Sequence, residues 1–325
     1  MNNQAHPFTA LEPDVILDAI ESIGFTCTGS LLALNSFENR VYQVGIEGKD
    51  PLIAKFYRPE RWNSEAILEE HQFSLELVEH ELPIIAPLII NEQTLHHHHG
   101  FRFALFPRRG GHGLELDNIE QLEWMGRFIG RLHRISACGS FKHRVQLTTQ
   151  NYGYDAYTLL IDQDFIPDYL KANFCKTVET ALELSEQIVK SLGPIKQMRL
   201  HGDCHAGNVL WRESGPHIVD LDDCLMGPAI QDIWMLLSGE PAQMESQLEK
   251  ILQGYSEFHD FNFSERHLIE VLRTLRLLHY SGWLAKRWSD PAFPLSFPWF
   301  NTPIYWQNLL SNLNEQIELL QAIEC

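Results

Sequence analysis

The chain has 325 residues, 44% of them hydrophobic, which is enough apolar material for a large core or for two lobes that share a cleft. Its formal net charge is −18, from 25 Lys and Arg against 43 Asp and Glu, and this acidity opposes nonspecific binding to nucleic acids and to anionic membranes. No run approaches the roughly twenty apolar residues that are needed to span a bilayer. We therefore expect neither nucleic acid nor membrane as a partner.

The N-terminus and the cysteines both predict a cytoplasmic location. Residues 1–7 have no charged segment followed by an apolar one, so we expect no signal peptide. No two cysteines have the spacing of a zinc finger or a thioredoxin motif, and reduced thiols are the default in the cytoplasm. The six cysteines are Cys27, Cys138, Cys175, Cys204, Cys224 and Cys325.

The first third of the chain has the pattern of a sheet with two helices. Apolar residues at helical spacing predict helices at 13–23 and 64–79, the second with Ser64 as its N-cap. Alternating apolar residues predict strands at 25–34, 40–46, 52–57, 86–95 and 101–106. We interpret the histidines at 96–99 as an exposed hairpin loop. The expected result is a five-stranded antiparallel sheet with one helix inserted after the third strand.

A segment rich in Pro and Gly at 107–113 interrupts this pattern and predicts a hinge. Beyond it the chain is mostly helical, with amphipathic helices predicted at 118–135 and 167–192. The predicted fold class is therefore α+β. We divide the chain into an N-terminal lobe at 1–106, the hinge, and a larger, mainly helical C-terminal lobe at 114–325.

The His-Gly-Asp-Cys-His-Ala-Gly-Asn motif at 201–208 carries the strongest functional signal. Phosphoryl transfer from Mg-ATP uses an aspartate that accepts the proton of the attacking hydroxyl, and an asparagine and a second aspartate that hold metal ions. Asp203 fits the first role, and Asn208 and Asp220 fit the other two. The two glycines of the motif suit the tight backbone that lets these side chains face one cavity.

Two short apolar strands at 208–211 and 217–220 flank turn-forming residues and predict a hairpin. This hairpin returns the chain and places Asp220 beside Asn208. In a continuing strand, Asp222 would face the same side as Asp220 and could contact a second Mg²⁺. An exposed or helix-capping carboxylate at Asp222 is equally consistent with the sequence.

Several neighbours of the motif are predicted to support it. His201 is expected to hydrogen-bond the loop, and Asp232 to brace it from a following helix. His205 either positions Asp203 or approaches the γ-phosphate, and the packed, hydrogen-bonded histidine is the favoured alternative.

Two groups of residues have both a packing and a functional interpretation. Cys204 and Cys224 flank the proposed catalytic segments, and packing as small apolar side chains is favoured over a redox role. Core packing is likewise favoured over a substrate cage for the C-terminal aromatics. These aromatics are Trp283, Trp288, Phe293, Phe297, Trp299 and Phe300.

Lys55 ends an alternating strand and could reach the α- and β-phosphates, as the third-strand lysine of kinases does. Such a lysine needs an anionic partner. Glu70 shares a helix face with Phe73 and Leu77, and we choose it as the partner, with Glu69 as the alternative.

These motifs resemble the aminoglycoside phosphotransferase and choline kinase superfamily, relatives of the protein kinases. Its hallmark is a His-Gly-Asp-x-His-x-x-Asn loop followed by an apolar-Asp segment. A closer resemblance, to the bacterial stress response kinase A family, covers nearly the whole chain. The segments that carry it are 34–42, 55–62, 69–73, 200–208 and 288–294.

The resemblance implies a two-lobed protein-kinase-like fold in which Ser36 and nearby backbone N–H groups contact phosphates and a hinge near Phe106 binds adenine. It also implies a cytoplasmic, monomeric, Mg-ATP-dependent serine/threonine protein kinase of a stress response, with a protein acceptor. A kinase for a small hydroxyl metabolite such as choline, homoserine or an aminoglycoside is the alternative. An ATP-binding scaffold without catalysis is a third hypothesis, which the intact motif residues oppose.

The segment after Asp220 is short. Only a few residues separate it from Pro228, so a kinase activation segment is absent from the sequence pattern. We therefore expect no regulation by phosphorylation of residues 221–230.

Overall fold

The computed structural model describes residues 7–323, and its N-terminal sheet has the predicted antiparallel pairing. The strands are β1 (Cys27–Ala33), β2 (Arg40–Ile46), β3 (Leu52–Tyr57), β4 (His96–His98) and β5 (Phe101–Pro107). Their order across the sheet is β1-β2-β3-β5-β4. The central position of β3 explains why Lys55 is buried together with Ala54 and Phe56. The predictions for residues 1–6 and Cys325 lie outside the described residues.

Two helices accompany this sheet where the sequence predicts them. They are α1 (Pro13–Glu21) and α2 (Ser64–Glu79). The N-cap of α2 is Asn63, whose side-chain oxygen accepts a hydrogen bond from Ala66 N at 2.9 Å, so the prediction of Ser64 as the cap was wrong by one residue. Helix α2 buries Glu70, Phe73 and Leu77 on one face, as their spacing predicts.

The prediction of a strand at 86–95 and a histidine loop at 96–99 was wrong. The segment 86–95 has only an isolated bridge between Ile90 and Gln93, because Asn91 and Glu92 adopt positive φ and interrupt an extended conformation. The strand begins later, at β4, where His96 pairs with Phe103 and is buried. The hairpin turn is formed instead by residues 99–100, both at positive φ.

The remaining strands are short and flank the motif at 201–208 and the segment that follows it. They are β6 (Met198–Leu200), β7 (Val209–Arg212), β8 (Gly215–Ile218) and β9 (Leu225–Gly227). β6 pairs with β9, and β7 pairs with β8 in the predicted hairpin, with Val209 opposite Ile218. This register brings the two ends of the hairpin, Asn208 and Val219, together through a 3.0 Å backbone hydrogen bond.

The helices predicted at 118–135 and 167–192 are both present. The helices after the sheet are α3 (Ile119–Ser136), α4 (Asp155–Asp162), α5 (Asp168–Ser191), α6 (Gln231–Trp234), α7 (Pro241–Tyr255), α8 (Ile269–Arg287), α9 (Ala292–Ser296) and α10 (Pro303–Gln321). A π-helical turn at 150–154 precedes α4.

The described residues form two compact units. The first consists of the chain up to Val145 together with Met198–Met226 and Asp232–Phe261. The second consists of Gln146–Gln197, Gly227–Gln231 and the chain from Asn262 onward. All the residues to which we assign site roles lie in the first unit. The predicted lobe and hinge boundaries at 106 and 113 stay predictions.

Helices α4, α5, α8 and α10 form the core of the second unit. Most of the C-terminal aromatics pack there, as predicted: Phe293 and Phe300 are fully buried, and Trp283 lies edge-to-face against Phe293 at 5.0 Å. In the part of the chain that the structure describes, no helix combines the length and the apolar character that crossing a membrane requires.

Helices α3 and α7 pack at very close range in the first unit, and glycines permit this. A Cβ atom added to Gly126 would lie 2.0 Å from the carbonyl oxygen of Ile251, and one added to Gly254 would lie 2.1 Å from that of Glu123. Because these contacts are with backbone atoms, neither helix can relieve them by changing a rotamer.

We expect Gly126→Ala to lower the free energy of unfolding by about 1–3 kcal/mol, since overpacking a tight core costs this much. Urea denaturation followed by circular dichroism measures the effect. Gly113→Ala is the matched control, because a Cβ atom there meets nothing within 4 Å. Equal denaturation midpoints for the two variants would contradict the close packing of these helices.

Candidate active site

The His-Gly-Asp-Cys-His-Ala-Gly-Asn motif at 201–208 forms a tight loop between β6 and β7. Gly202 has φ of +86°, and a Cβ atom there would lie 2.2 Å from the carbonyl oxygen of Asp223. Only glycine therefore fits at this position. Asn208 Nδ2 donates to the carbonyl oxygen of Asp203 at 2.9 Å, so the amide closes the loop at its far end.

Asp232, on α6, braces this loop as the sequence predicts. Its carboxylate accepts hydrogen bonds from the backbone N–H groups of His201 and Gly202, both at 2.8 Å. The same carboxylate lies 3.1 Å from Nε2 of the buried His133, whose Nδ1 lies 3.0 Å from the hydroxyl of Tyr255. A buried, fully bonded carboxylate of this kind fixes the backbone that carries Asp203.

The two histidines of the motif support the loop. His201 Nε2 lies 3.0 Å from the carbonyl oxygen of Val219, and its Nδ1 accepts from Asp203 N at 3.3 Å. A carbonyl can only accept, so Nε2 carries the proton. His205 Nδ1 accepts from Gly207 N, and its Nε2 lies 3.5 Å from Asp203 Oδ2. This geometry matches the positioning alternative for His205.

Asp220 lies at the end of the β7–β8 hairpin with φ of 62° and ψ of 71°. A non-glycine residue in this left-handed region is uncommon, and such strain is concentrated at functional sites. Its side chain is 53% exposed, whereas most of its neighbours are buried. The hairpin places this exposed carboxylate beside Asn208, as predicted, because the preceding residue, Val219, hydrogen-bonds to the Asn208 carbonyl oxygen.

Lys55 is buried and surrounded by three carboxylates. Its Nζ lies 2.8 Å from Asp220 Oδ1, 3.3 Å from Asp222 Oδ1 and 3.6 Å from Glu70 Oε1. Burial alone lowers the pKa of Lys55, but the three carboxylates outweigh it and hold the pKa well above its usual value. Lys55 is therefore protonated and positively charged at this site.

Of the two glutamates that the sequence offers, Glu70 lies beside Lys55. Its carboxyl is buried, and burial raises its pKa to about 7 although Lys55 lowers it. Glu69 points elsewhere and accepts hydrogen bonds from three consecutive backbone N–H groups, at 2.7, 2.8 and 3.1 Å. These groups belong to Lys142, His143 and Arg144.

Asp222 is neither exposed nor in a strand. It lies in a short 3₁₀ turn, Leu221–Asp223, is 2% exposed, and forms ion pairs with both Lys55 and Arg61. Burial raises the pKa of Asp222, but Arg61 and Lys55 bring it well below its usual value. The expectations of an extended conformation and of an exposed or capping carboxylate were therefore wrong.

Two arginines of the site were missed by sequence reasoning. The guanidinium of Arg61 contacts both Asp222 and Asp223, and that of Arg144 donates to the carbonyl oxygens of Leu221, Asp222 and Cys224. The one available signal was the cluster of basic residues that follows β3.

The two cysteines beside the catalytic segments are buried. Burial raises the pKa of both thiols, that of Cys204 well above its usual value and that of Cys224 to about 12. Both are therefore protonated at neutral pH, and a protonated thiol is a poor nucleophile. This environment favours the packing interpretation over a redox role.

Ser36 and Phe106 have local partners. The hydroxyl of Ser36 donates to the carbonyl oxygen of Asn39 at 3.1 Å, within the β1–β2 turn. Phe106 pairs with Ile53 across the β3–β5 ladder and lies edge-to-face against His71 at 6.4 Å. Their nucleotide contacts stay predictions of the family resemblance.

The ligands predicted for a metal ion are few. Among the described residues, no group of three or more His, Cys, Asp and Glu side chains is arranged to hold a metal. Asn208 and Asp220 supply the amide and carboxylate oxygens that suit Mg²⁺, an ion that keeps several waters and takes further oxygens from substrate phosphates. The donor set fits a metal that is shared with a phosphate.

A buried hydrogen-bond chain runs from the lysine strand β3 through helix α2 to the segment before β4. Tyr57 Oη lies 2.6 Å from His71 Nε2, and His71 Nδ1 lies 2.8 Å from Thr94 Oγ1. Burial and the positive charge of Lys55 lower the pKa of His71 to about 3. His71 is thus neutral in the folded protein at physiological pH.

This shift predicts an acid-labile fold. The pKa of His71 is depressed on folding, so its contribution is complete above about pH 6.5 and is lost as the pH falls towards about 3. We expect the free energy of unfolding of the wild type to fall across this window by up to ~1.4 kcal/mol per pH unit more than that of His71→Gln. Urea denaturation between pH 4.5 and 7.5 measures both slopes, and parallel slopes would contradict the neutral, buried state.

Comparisons with known proteins cover nearly the whole chain. The model of the phosphotransferase enzyme family (APH) matches residues 30–269. The chain is 46% identical to stress response kinase A of Escherichia coli (strain K12) over 321 residues, which are 99% of this chain and 97% of that protein. It is 45% identical to serine/threonine protein kinase RdoA of Salmonella typhimurium (strain LT2) over 320 residues, which are 98% of this chain and 97% of that protein.

A solved structure of amicoumacin kinase hAmiN in complex with AMP-PNP, Ca²⁺ and Ami has the same fold. Its TM-score is 0.69 at 18% identity, with 90% of this chain and 88% of that chain covered. This likeness confirms the predicted protein-kinase-like α+β fold class.

Proposed function

This chain belongs to the phosphotransferase enzyme family and, within it, with the stress response kinase A proteins; from that premise we propose that it transfers the γ-phosphate of Mg-ATP to Ser and Thr hydroxyls of proteins. One observation carries the proposal. Asp203 stands on a braced loop in the same unit as the hairpin that carries Asn208 and Asp220 and the buried pair Lys55–Glu70.

Asp203 is the proposed catalytic base. Its carboxylate orients the acceptor hydroxyl and takes its proton as the oxygen attacks phosphorus. Asp232 and His201 fix its backbone, and His205 Nε2 faces its carboxylate at 3.5 Å. These contacts fix the backbone that carries the Asp203 side chain and place a histidine ring beside its carboxylate, which supports the role of a positioned general base.

Asn208 and Asp220 are the proposed metal ligands, and a bound Mg²⁺ would neutralise charge on the phosphates. The charges of the site support this need. Five carboxylates are grouped with three cations, Lys55, Arg61 and Arg144, so the site carries a net negative charge, which opposes the approach of a polyphosphate without a metal ion. The carboxylates are Glu70, Asp203, Asp220, Asp222 and Asp223. The relative hAmiN, whose complex holds AMP-PNP and Ca²⁺, supports the use of a nucleotide with a divalent ion.

The acceptor is the less constrained part of the proposal. The name of the Salmonella relative, a serine/threonine protein kinase at 45% identity, favours a protein acceptor. We extend the proposal to a bacterial stress response, which the name of the stress response kinase A relatives suggests, and to a monomeric, cytoplasmic enzyme, which the family resemblance implies. The second candidate is a small-molecule kinase, which the shared fold of amicoumacin kinase favours.

We expect Asp203→Asn to reduce turnover at least ~10²-fold, because the amide cannot accept the hydroxyl proton. Purified protein is incubated with Mg²⁺ and labelled ATP, with and without a generic basic protein acceptor. The matched control is Asp164→Asn, since Asp164 is 77% exposed and its partner is Lys171 on the surface of the second unit.

Label on protein that is lost only in Asp203→Asn would support the protein kinase. ADP release that is stimulated by small alcohols or amines, without protein label, would move the chain to the metabolite kinases. Near-normal turnover of Asp203→Asn would contradict the role of this aspartate in either reaction.

Metal use is tested at Asp220. We expect Asp220→Asn to raise the Mg²⁺ concentration for half-maximal activity at least ~10-fold, because removing even an outer partner of a metal ligand costs 10–100-fold in affinity. A Mg²⁺ titration at saturating ATP measures this. A titration curve that coincides with that of the wild type would remove Asp220 from the metal site.

A further inference from the structure

The guanidinium of Arg61 joins two carboxylates of the segment that follows Asp220. It contacts the carboxylate of Asp222 and, through its other terminal nitrogen, that of Asp223. The arginine side chain is 15% exposed and Asp222 is almost fully buried. Removing one partner of such a pair leaves the other charge buried and uncompensated, which is strongly unfavourable.

Lys55 shares one of these carboxylates, that of Asp222, and contacts two others. Its ammonium group lies within 3.6 Å of Asp220, Asp222 and Glu70, and one lysine cannot fully neutralise three carboxylates. The proposed function requires this ammonium to contact the phosphates of a nucleotide and requires Asp220 to face a metal. Asp222 would then lose Lys55, one of its two ion-pair partners, while its side chain stays buried.

We propose that Arg61 is a positioning residue for nucleotide binding, which neutralises Asp222 and Asp223 so that Lys55 can pass from the carboxylates to the phosphates. Arg61 keeps Asp222 paired at the moment when Lys55 leaves it. The inference rests on the proposed function, because it needs a nucleotide that takes up Lys55.

The position of Arg61 also connects the site to the β1–β2 turn. Its Nε lies 3.8 Å from Glu38 Oε1, and the neighbouring Arg58 contacts the same carboxylate oxygen at 3.1 Å. Arg58 Nε further donates to the backbone carbonyl of Glu38 at 2.8 Å. This turn carries Ser36, the predicted phosphate contact. Arg61 therefore holds the Asp222 segment and contacts the turn that we expect to face the phosphates.

An arginine suits this role better than a lysine would. Its planar guanidinium presents several N–H donors in a fixed fork and can bridge two carboxylates, whereas an ammonium is a point charge. We therefore expect Arg61→Lys to keep the charge and lose the bridge, with an effect smaller than that of Arg61→Gln.

The test is nucleotide affinity measured by calorimetry with Mg-ADP and a non-hydrolysable ATP analogue, so it does not depend on turnover. We expect Arg61→Gln to weaken binding at least ~10-fold, as removing an outer partner of a metal ligand does. We expect Arg61→Lys, which keeps the charge and loses only the bridge, to weaken binding by only ~3-fold. Adding Asp222→Asn to Arg61→Gln should restore the affinity to within ~3-fold of that of Asp222→Asn alone, because the carboxylate that competes for Lys55 is gone.

The matched control is Arg127→Gln. Arg127 also bridges two carboxylates, those of Glu123 and Glu257, but at a partly exposed position on α3. We expect its nucleotide affinity to equal that of the wild type. Thermal unfolding without nucleotide checks that each variant is folded, and Arg61→Lys with the double variant carries the test if Arg61→Gln does not fold.

Wild-type affinity in Arg61→Gln or, if that variant does not fold, in Arg61→Lys would overturn the inference. So would a loss of affinity that Asp222→Asn fails to relieve, since Arg61 would then act on something other than this carboxylate. A wild-type protein that binds neither nucleotide would overturn the proposed function as well, which separates the two failures.

Discussion

The structure of the site depends on one constraint, which is the burial of the Asp222 carboxylate. A buried carboxylate must be paired with cations or it destabilises the fold. Its partners here are Lys55 from the sheet and Arg61 from the loop before α2. The same lysine contacts Asp220 and Glu70, so the charges of the strand, the helix and the hairpin end form one connected network. Moving any one of these groups changes the electrostatic environment of the others.

The loop at 201–208, which carries the proposed base, is held by a second, separate set of contacts. Asp232 accepts two backbone N–H groups of the loop, and Gly202 permits an approach to the backbone of Asp223 that no side chain allows. These contacts fix main-chain atoms and leave the Asp203 carboxylate directed by His205. Hydrogen bonds thus hold the backbone of the loop, while the side chain of Asp220, the proposed metal ligand, is exposed. This division suits a site in which the base is constant and the metal and nucleotide exchange.

Much of this arrangement follows from local sequence. The strand with Lys55, the face of α2 with Glu70 and the hairpin after Asn208 each depend on periodicity or turn residues within about twenty positions, so they could be predicted. Arg61 could not, because its partner Asp222 is 161 positions away and no local pattern pairs them. The prediction of a strand at 86–95 failed for another reason. Asn91 and Glu92, neither of which is glycine, adopt positive φ, and this ends the extended conformation although the apolar pattern continues.

The short segment after Asp220 is held by contacts with residues that are distant in sequence. Few residues separate Asp220 from Pro228, and Arg144 binds three of the intervening carbonyl oxygens while its guanidinium stacks on Trp62 at 4.2 Å. Glu69 in turn holds the backbone around Arg144. Protein kinases order their activation segments by adding a phosphate that pairs with arginine. Here Arg144 binds backbone carbonyl oxygens directly, so contacts within the protein hold the backbone that follows Asp220.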